Sequence, residues 1–228
     1  MNRNYDKIMG LLSHERLISY LNLKKIVEPE VILDTYLQSL LKNKELYAPL
    51  HILEIILRNK IHRSIAEILN NQAWLTNCSK QTQLEIKENF CFVSEKTISE
   101  FHKQVKLSSQ ISEQTAKSQD RPVIEGDLIA NLSFGFWTSL LSHAYANIFS
   151  NKKVFLLVFE NHDFGKFWTE SYFKQEKYMR FKIDYIRKCR NRLFHHDRIQ
   201  NHDNILKDIW KIIESISPEC SEYFQKKI

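Results

Sequence analysis

The chain has 228 residues, which is enough for one domain with a sizeable hydrophobic core. Hydrophobic residues make up 43% and charged residues 26% of the sequence, as in an ordinary soluble globular protein. Only four glycines and four prolines are present, which excludes a many-stranded β fold with frequent turns and favours an all-α fold. The net charge of +6 points to a polyanion as the partner, with a membrane surface as the lesser possibility.

The cysteines and the apolar runs exclude several further classes of protein. The four cysteines lie far apart and form no Cys-x-x-Cys pair, so neither a zinc clip nor a disulfide scaffold is expected. The longest apolar run, residues 154–159, is too short to span a bilayer, and the N-terminal residues lack the apolar core of a signal peptide. We therefore expect a cytoplasmic protein without a membrane segment.

Apolar periodicity predicts a bundle of roughly seven to nine helices. One or two short helices are expected within residues 6–23, followed by a helix that begins near Pro29 and stops near Asn43. Residues 45–69 carry the second strong helical pattern, and Pro49 predicts that this helix begins or kinks there.

The middle of the chain is more polar, with two helices expected at residues 79–90 and 94–107. Residues 108–122 are rich in Ser, Gln, Glu and Lys and nearly free of large apolar side chains, which predicts a mobile loop or a frayed helix end. An aromatic-rich helix follows at residues 128–148, and its rings are expected in the core.

The last part of the chain is helical by its apolar spacing. Residues 154–159 are expected to form a helix, because the chain offers no strand partners. A long helix is predicted at residues 170–197, a closing helix at residues 204–216, and a polar tail after Pro218. These elements predict a single helical domain that covers residues 1–228.

Residues 186–199 are the most informative stretch, because they combine four arginines, a lysine, an asparagine and two adjacent histidines with a helical apolar stripe. The expected buried stripe consists of Tyr178, Phe181, Tyr185, Ile186, Cys189 and Leu193. Residues 174–198 contain nine basic and three acidic residues, so their excess of positive charge equals the net charge of the chain. Such a patch predicts contacts to phosphates, since Lys and Arg gain affinity through counterion release.

The histidines and arginines of this stretch suit RNA cleavage without a metal. An imidazole titrates near neutral pH, so His195 can remove or return a proton at a ribose oxygen. The guanidinium of Arg190 matches two phosphate oxygens, and Asn191 can orient either partner. On an ideal helix Arg190 and His195 lie roughly 140° apart. Either the helix ends near Phe194, or the two side chains meet through a second copy of the helix.

Arg190, Asn191 and His195, followed by His196, resemble the Arg-x4-His motif of the HEPN superfamily of all-α ribonucleases. More narrowly, the stretch resembles the Arg-Asn-x-x-x-His-His-x-Arg form of the Abi-like abortive-infection proteins of bacteria. Two earlier segments resemble the same family in the same order. They are residues 53–61, with Glu54, Arg58 and Asn59 and followed by Trp74, and residues 129–137, which contain Leu-Ser-Phe-Gly-x-Trp. The ordered set is more specific than Arg-x4-His alone.

The resemblance implies a metal-independent endoribonuclease that needs no cofactor and forms a homodimer with a composite active site. Attack of a ribose 2′-hydroxyl on the neighbouring phosphate would leave a 2′,3′-cyclic phosphate and a 5′-hydroxyl. The implied catalytic residues are Arg190, Asn191 and His195, with secondary roles for His196, Glu54, Arg58 and Asn59. The residues expected to contact RNA are Arg187, Lys188, Arg192 and Arg198.

The family also implies a role in phage defence or as a toxin, restrained by an RNA or protein antitoxin. Asp197 stands where some HEPN toxins carry a tyrosine that a nucleotidyltransferase modifies, so that mode of control is not expected. Glu54 and Arg58, four positions apart, are expected to form a brace that positions the catalytic helix.

Two other functions remain open from the sequence. The first is a non-catalytic RNA-binding module, in which the basic helix contacts phosphates and the histidines only pack or form hydrogen bonds. The second is a metal phosphohydrolase whose ligands come from the His-Asp pairs at residues 162–163, 196–197 and 202–203.

Overall fold

The computed structural model describes residues 3–13, 17, 28–89, 94–145, 151–164 and 169–228. Within these ranges the chain is helical and contains no β-strand, which confirms the all-α prediction. The described residues form eleven α-helices, more than the periodicity predicted, and a 3₁₀ turn at His143–Tyr145. The helices are α1 (Arg3–Leu12), α2 (Pro29–Leu69), α3 (Trp74–Lys80), α4 (Gln83–Asn89), α5 (Glu95–Ser118), α6 (Glu125–Asn131), α7 (Phe134–Leu140), α8 (Asn151–Val158), α9 (Glu170–Phe194), α10 (His202–Ile216) and α11 (Pro218–Gln225).

Helix α2 is the centre of the fold and packs against α1, α6, α7, α8 and α10. Its 41 residues correspond to a length of about 60 Å at the usual helical rise. Its buried side carries Leu46, Leu50, Leu53, Leu57, Ile61 and Ile65. These residues recur at steps of three and four, so they form one continuous stripe that contributes to the main hydrophobic core.

The predicted helix stop at Asn43 is wrong, because α2 continues through Asn43 and Pro49 without interruption. Asn43 is 3% exposed, and its Oδ1 lies 2.6 Å from Nε2 of His202 at the start of α10. Burial lowers the pKa of His202, and the positive charge of Lys42 lowers it further. The polar side chain is therefore tolerated inside the helix because α10 supplies its hydrogen-bond partner.

The prediction of a mobile loop or a frayed helix end at residues 108–122 is wrong for most of this range, since α5 extends to Ser118. Ser108, Ser112 and Ala116 lie four residues apart and are buried. The hydroxyl of Ser108 donates to the carbonyl of Leu128 at 2.9 Å, which joins α5 to α6. This helix side is lined by small residues and held by hydrogen bonds, so a search for large apolar residues does not detect it.

The predicted single helix at residues 128–148 is divided where α6 ends and α7 begins. Ser133 starts the second helix, because its Oγ accepts a hydrogen bond from the backbone N–H of Phe136 at 3.1 Å. The rings of Phe134, Phe136 and Trp137 are buried, as expected. The end of the predicted range lies outside the described residues.

The C-terminal elements follow the predictions with one exception. The helices predicted at residues 154–159, 170–197 and 204–216 are confirmed as α8, α9 and α10, whereas the predicted polar tail forms α11. Ser217 starts α11 by accepting a hydrogen bond from the N–H of Cys220 at 3.3 Å. Among the described residues, no helix combines the length and the apolar character needed to cross a membrane.

We expect Asn43→Ala to lower the free energy of unfolding by about 1–3 kcal/mol, because it leaves the His202 ring buried without its partner. Urea denaturation followed by circular dichroism measures the change. The control is Lys42→Ala, which removes an exposed ion pair with Asp203 of 3.3 Å and should cost less than about 0.5 kcal/mol. Equal destabilisation by the two variants would contradict the assigned role of Asn43.

Candidate active site at the end of helix α9

The buried side of α9 differs from the predicted one. Tyr178 and Phe181, expected in the core, are 53% and 65% exposed. The buried side consists instead of Tyr172, Glu176, Met179, Ile183, Ile186, Cys189 and Leu193. Both stripes share their last three residues, so they differ only before Ile186. There the polar Glu176 is accommodated because Arg180 Nη2 donates to its carboxylate at 2.6 Å.

Helix α9 ends at Phe194, which is one of the two arrangements that the spacing of the motif allowed. His195 is the C-cap, and His196 follows with a φ of 58°, in the left-handed region. The N–H groups of His196 and Asp197 donate to carbonyl oxygens in the last turn, at 3.1 and 2.9 Å. This is the Schellman arrangement of a helix end. Both histidines are exposed, so substrate can reach them.

Arg190 is held from two sides. Its Nε donates to Oε2 of Glu54 on α2 at 3.2 Å, and its Cζ lies 4.3 Å from the centroid of the Phe194 ring. The Phe194 ring is in turn met edge-on by Tyr47, with ring centroids 5.8 Å apart. In the described part of the chain only Nε of this guanidinium has a hydrogen-bond partner. Its two Nη groups therefore remain for a phosphate.

The brace predicted between Glu54 and Arg58 is replaced by the direct contact of Glu54 with Arg190. The Nε of Arg58 is buried and has no hydrogen-bond partner among the described residues. Asn59 is exposed on α2. Of the three residues expected on this helix, Glu54 alone makes a polar contact with α9 within the ranges described.

The predicted RNA-contacting cations differ in their surroundings. Arg187 and Lys188 both bind Asp184, at 2.7 and 2.8 Å. The hydrogen bond from Lys188 lowers the pKa of Asp184, burial opposes it, and Arg187 adds to the lowering. Asp184 is therefore ionised at neutral pH and cancels one of the two positive charges. Arg192 and Asn191 are exposed, and Arg198 is half-buried.

The other two family-like segments meet in the core around His62, which is 6% exposed. Its ring stacks on Trp74 with centroids 5.7 Å apart and meets Trp137 edge-on at 6.3 Å. Glu125 lies 3.0 Å from Nε2 of His62 and accepts hydrogen bonds from the first N–H groups of α3. Burial raises the pKa of Glu125, but the hydrogen bonds from His62 and Thr76 outweigh it, so the pKa is lowered overall. These residues support the fold.

The three His-Asp pairs do not converge. His202 is buried against Asn43, the ring of His162 packs edge-on against Phe164 with centroids 4.4 Å apart, and His196 lies in the exposed helix end. Within the described ranges no group of three or more His, Cys, Asp or Glu side chains is placed to hold a metal ion. The described residues therefore give no support to the metal phosphohydrolase alternative.

The partner of Arg190 and the exposure of Phe181 were both missed by sequence reasoning. The Glu54–Arg190 contact joins residues 136 positions apart, so no local pattern reports it. The chain matches no family model, no curated protein and no solved structure. The candidate site therefore rests on the residues and contacts described above.

We expect His196→Gly to raise the free energy of unfolding by about 0.5–1 kcal/mol, because glycine adopts the left-handed conformation without strain. Thermal and urea denaturation measure the difference. The matched control is His195→Gly at the neighbouring C-cap, where φ is −87° and glycine brings no such relief. A loss of stability in His196→Gly, relative to the wild type, would show that the imidazole makes a compensating contact.

Proposed function

We propose that the chain is a metal-independent endoribonuclease of the HEPN type, which cleaves RNA by attack of a ribose 2′-hydroxyl. The observation that carries this proposal is a fixed arginine, Arg190, within the last turn of a helix that ends in two exposed imidazoles. The resemblance to the Abi-like proteins points to the same reaction. The contact between Glu54 and Arg190 supports it, since it joins two of the three family-like segments.

The proposed reaction uses the side chains at the end of α9. His195 takes the proton of the 2′-hydroxyl, and the 2′ oxygen forms a bond to phosphorus as the bond from phosphorus to the 5′ oxygen breaks. A protonated imidazole, from His196 or from a second copy of the chain, returns a proton to the leaving oxygen. The Nη groups of Arg190 offset the charge on the non-bridging oxygens, and Asn191 orients the phosphate or the ring. The steps require no cofactor.

The proposal includes a homodimer with a composite site. Arg190 is turned toward Glu54 on α2, whereas His195 and His196 lie in the cap beyond the helix. A two-fold axis near the ends of two α9 helices brings the histidines of one copy toward Arg190 of the other, as an isologous interface allows. The two groups that are poorly placed on one helix then act on the same phosphate.

The resemblance also supplies the proposed biological setting, which is phage defence or toxicity in the bacterial cytoplasm under the control of an RNA or protein antitoxin.

A second candidate function is RNA binding without catalysis. The exposed cations of α9, among them Arg192, favour it, because phosphate contacts need charge and do not need the histidines.

We expect Arg190→Ala and His195→Ala each to reduce cleavage of single-stranded RNA at least about a hundredfold. The first variant loses the hydrogen-bond donors to the phosphate, and the second loses the general base. The measurement is product formation in EDTA, with the 2′,3′-cyclic end identified by mass spectrometry. Arg63→Ala, an exposed arginine on α2, is the control that should keep full activity. Undiminished cleavage by both active-site variants removes the proposal, and RNA binding without any turnover by the wild type favours the binding module.

Glu54→Gln tests whether the ion pair positions Arg190. We expect roughly tenfold slower cleavage, because a neutral amide holds the guanidinium less firmly than a carboxylate does. The pH dependence of the rate should keep its shape, since the histidines are unchanged. Glu67→Gln, at an exposed position of the same helix, serves as the control. A wild-type rate in Glu54→Gln would show that the contact is structural only.

A further inference from the structure

A groove lies between α9 and α10. It has a volume of about 260 Å³ and is lined by Phe181, Lys182, Tyr185, Asn201, Asn204 and Asp208. We refer to these six residues as the aromatic groove. None of them belongs to the proposed catalytic set, so the groove has no role in the reaction described above.

One wall of the aromatic groove is formed by two aromatic rings. The rings of Phe181 and Tyr185 have centroids 6.5 Å apart and planes inclined by 11°. Phe181 is 65% exposed, although burial of a phenylalanine is worth about 1.5–3 kcal/mol. An exposed phenylalanine ring beside a half-buried tyrosine ring offers a flat apolar surface to a planar ligand.

The opposite wall offers hydrogen-bonding groups. Asn201 and Asn204 are exposed residues of the lining, and each side-chain amide carries hydrogen-bond donors and an acceptor. Lys182 and Asp208, which also line the groove, form an ion pair of 2.6 Å, so the lysine offsets the charge of the carboxylate. A nucleobase matches this combination, because it has a flat face and polar edges.

Exposed cations lie on the same side of α9 as Phe181. They are Lys174, which pairs with Glu170, Lys188, which pairs with Asp184, and Arg192. A second groove of about 360 Å³ shares Lys182 and Asp208 with the first and adds Lys211 and Glu214. The two grooves are therefore neighbours between α9 and α10. Asn201, in the lining of the first groove, follows the exposed His196 by five residues in the chain.

We propose that the aromatic groove binds one base of the single-stranded RNA substrate by stacking on Phe181 and Tyr185, with the adjoining lysines contacting the backbone phosphates. This inference rests on the proposed function for the identity of the substrate. It adds a subsite that holds the strand beside the candidate active site. Such a combination of aromatic rings and cations is the usual means of binding a single strand without reading every base.

The test uses Phe181→Ala, Phe181→Leu and Phe181→Trp in the full chain. Fluorescence anisotropy with a short fluorescein-labelled single-stranded RNA is measured in a His195→Ala background, where cleavage is suppressed. We expect Phe181→Ala and Phe181→Leu to weaken RNA binding about tenfold and Phe181→Trp to retain it. The reason is that the affinity depends on a flat aromatic surface for stacking and not on apolar volume alone. Because Phe181 is largely exposed, these substitutions should leave the fold intact.

Cleavage by chains with an intact His195 separates this inference from the proposed function. If the wild type cleaves RNA and all Phe181 variants bind and cleave equally well, the proposed role of the groove in RNA binding is overturned and the proposed function stands. If Phe181→Ala and Phe181→Leu weaken RNA binding as expected but the wild type never cleaves RNA, the groove is an RNA-binding site and the nuclease proposal fails. If Phe181→Ala instead dissociates a dimer in light scattering, with unchanged RNA affinity, the groove is an interface between two copies and the inference is overturned.

Discussion

Three polar contacts along α2 fix the positions of the helices around it. The contacts are Asn43 with His202 of α10, Glu54 with Arg190 of α9, and His62 with Glu125 of α6. Along the helix axis they are separated by about 16 Å and about 12 Å. Apolar packing alone allows neighbouring helices several rotations and offsets, whereas hydrogen bonds have direction and length. The single long helix therefore decides where the end of α9 lies.

The apolar stripe and the polar contacts of α2 make different contributions. Burial of one leucine or isoleucine is worth about 1.5–3 kcal/mol, and the stripe contains six of them. The Glu54–Arg190 pair is 15% and 29% exposed at its two side chains, so solvent screening limits its contribution to roughly 1 kcal/mol or less. The stripe therefore stabilises the fold, while the ion pair selects the orientation of one guanidinium. At the proposed site, orientation is what the reaction depends on.

The helical class and the approximate positions of α9 and α10 were predictable from the sequence because apolar periodicity reports directly on a buried helix side. It failed at Asn43 and at residues 108–118, where polar side chains are buried against hydrogen-bond partners far away in the chain. It also assigned Phe181 to the core, since a helix with rings on two sides has two possible buried stripes and only the neighbouring helices choose between them. Arg190 and His195 were found from local spacing, but the partner of Arg190 depends on the tertiary fold.

The continuity of α2 restricts how the chain can diverge in length. One residue inserted between Asn43 and His62 would rotate every later side chain of the helix by about 100° and shift it by about 1.5 Å. The downstream contacts would then lose their partners together, and the apolar stripe would turn away from α10. Homologous chains should therefore vary in loop length while keeping the interval from Asn43 to His62 constant.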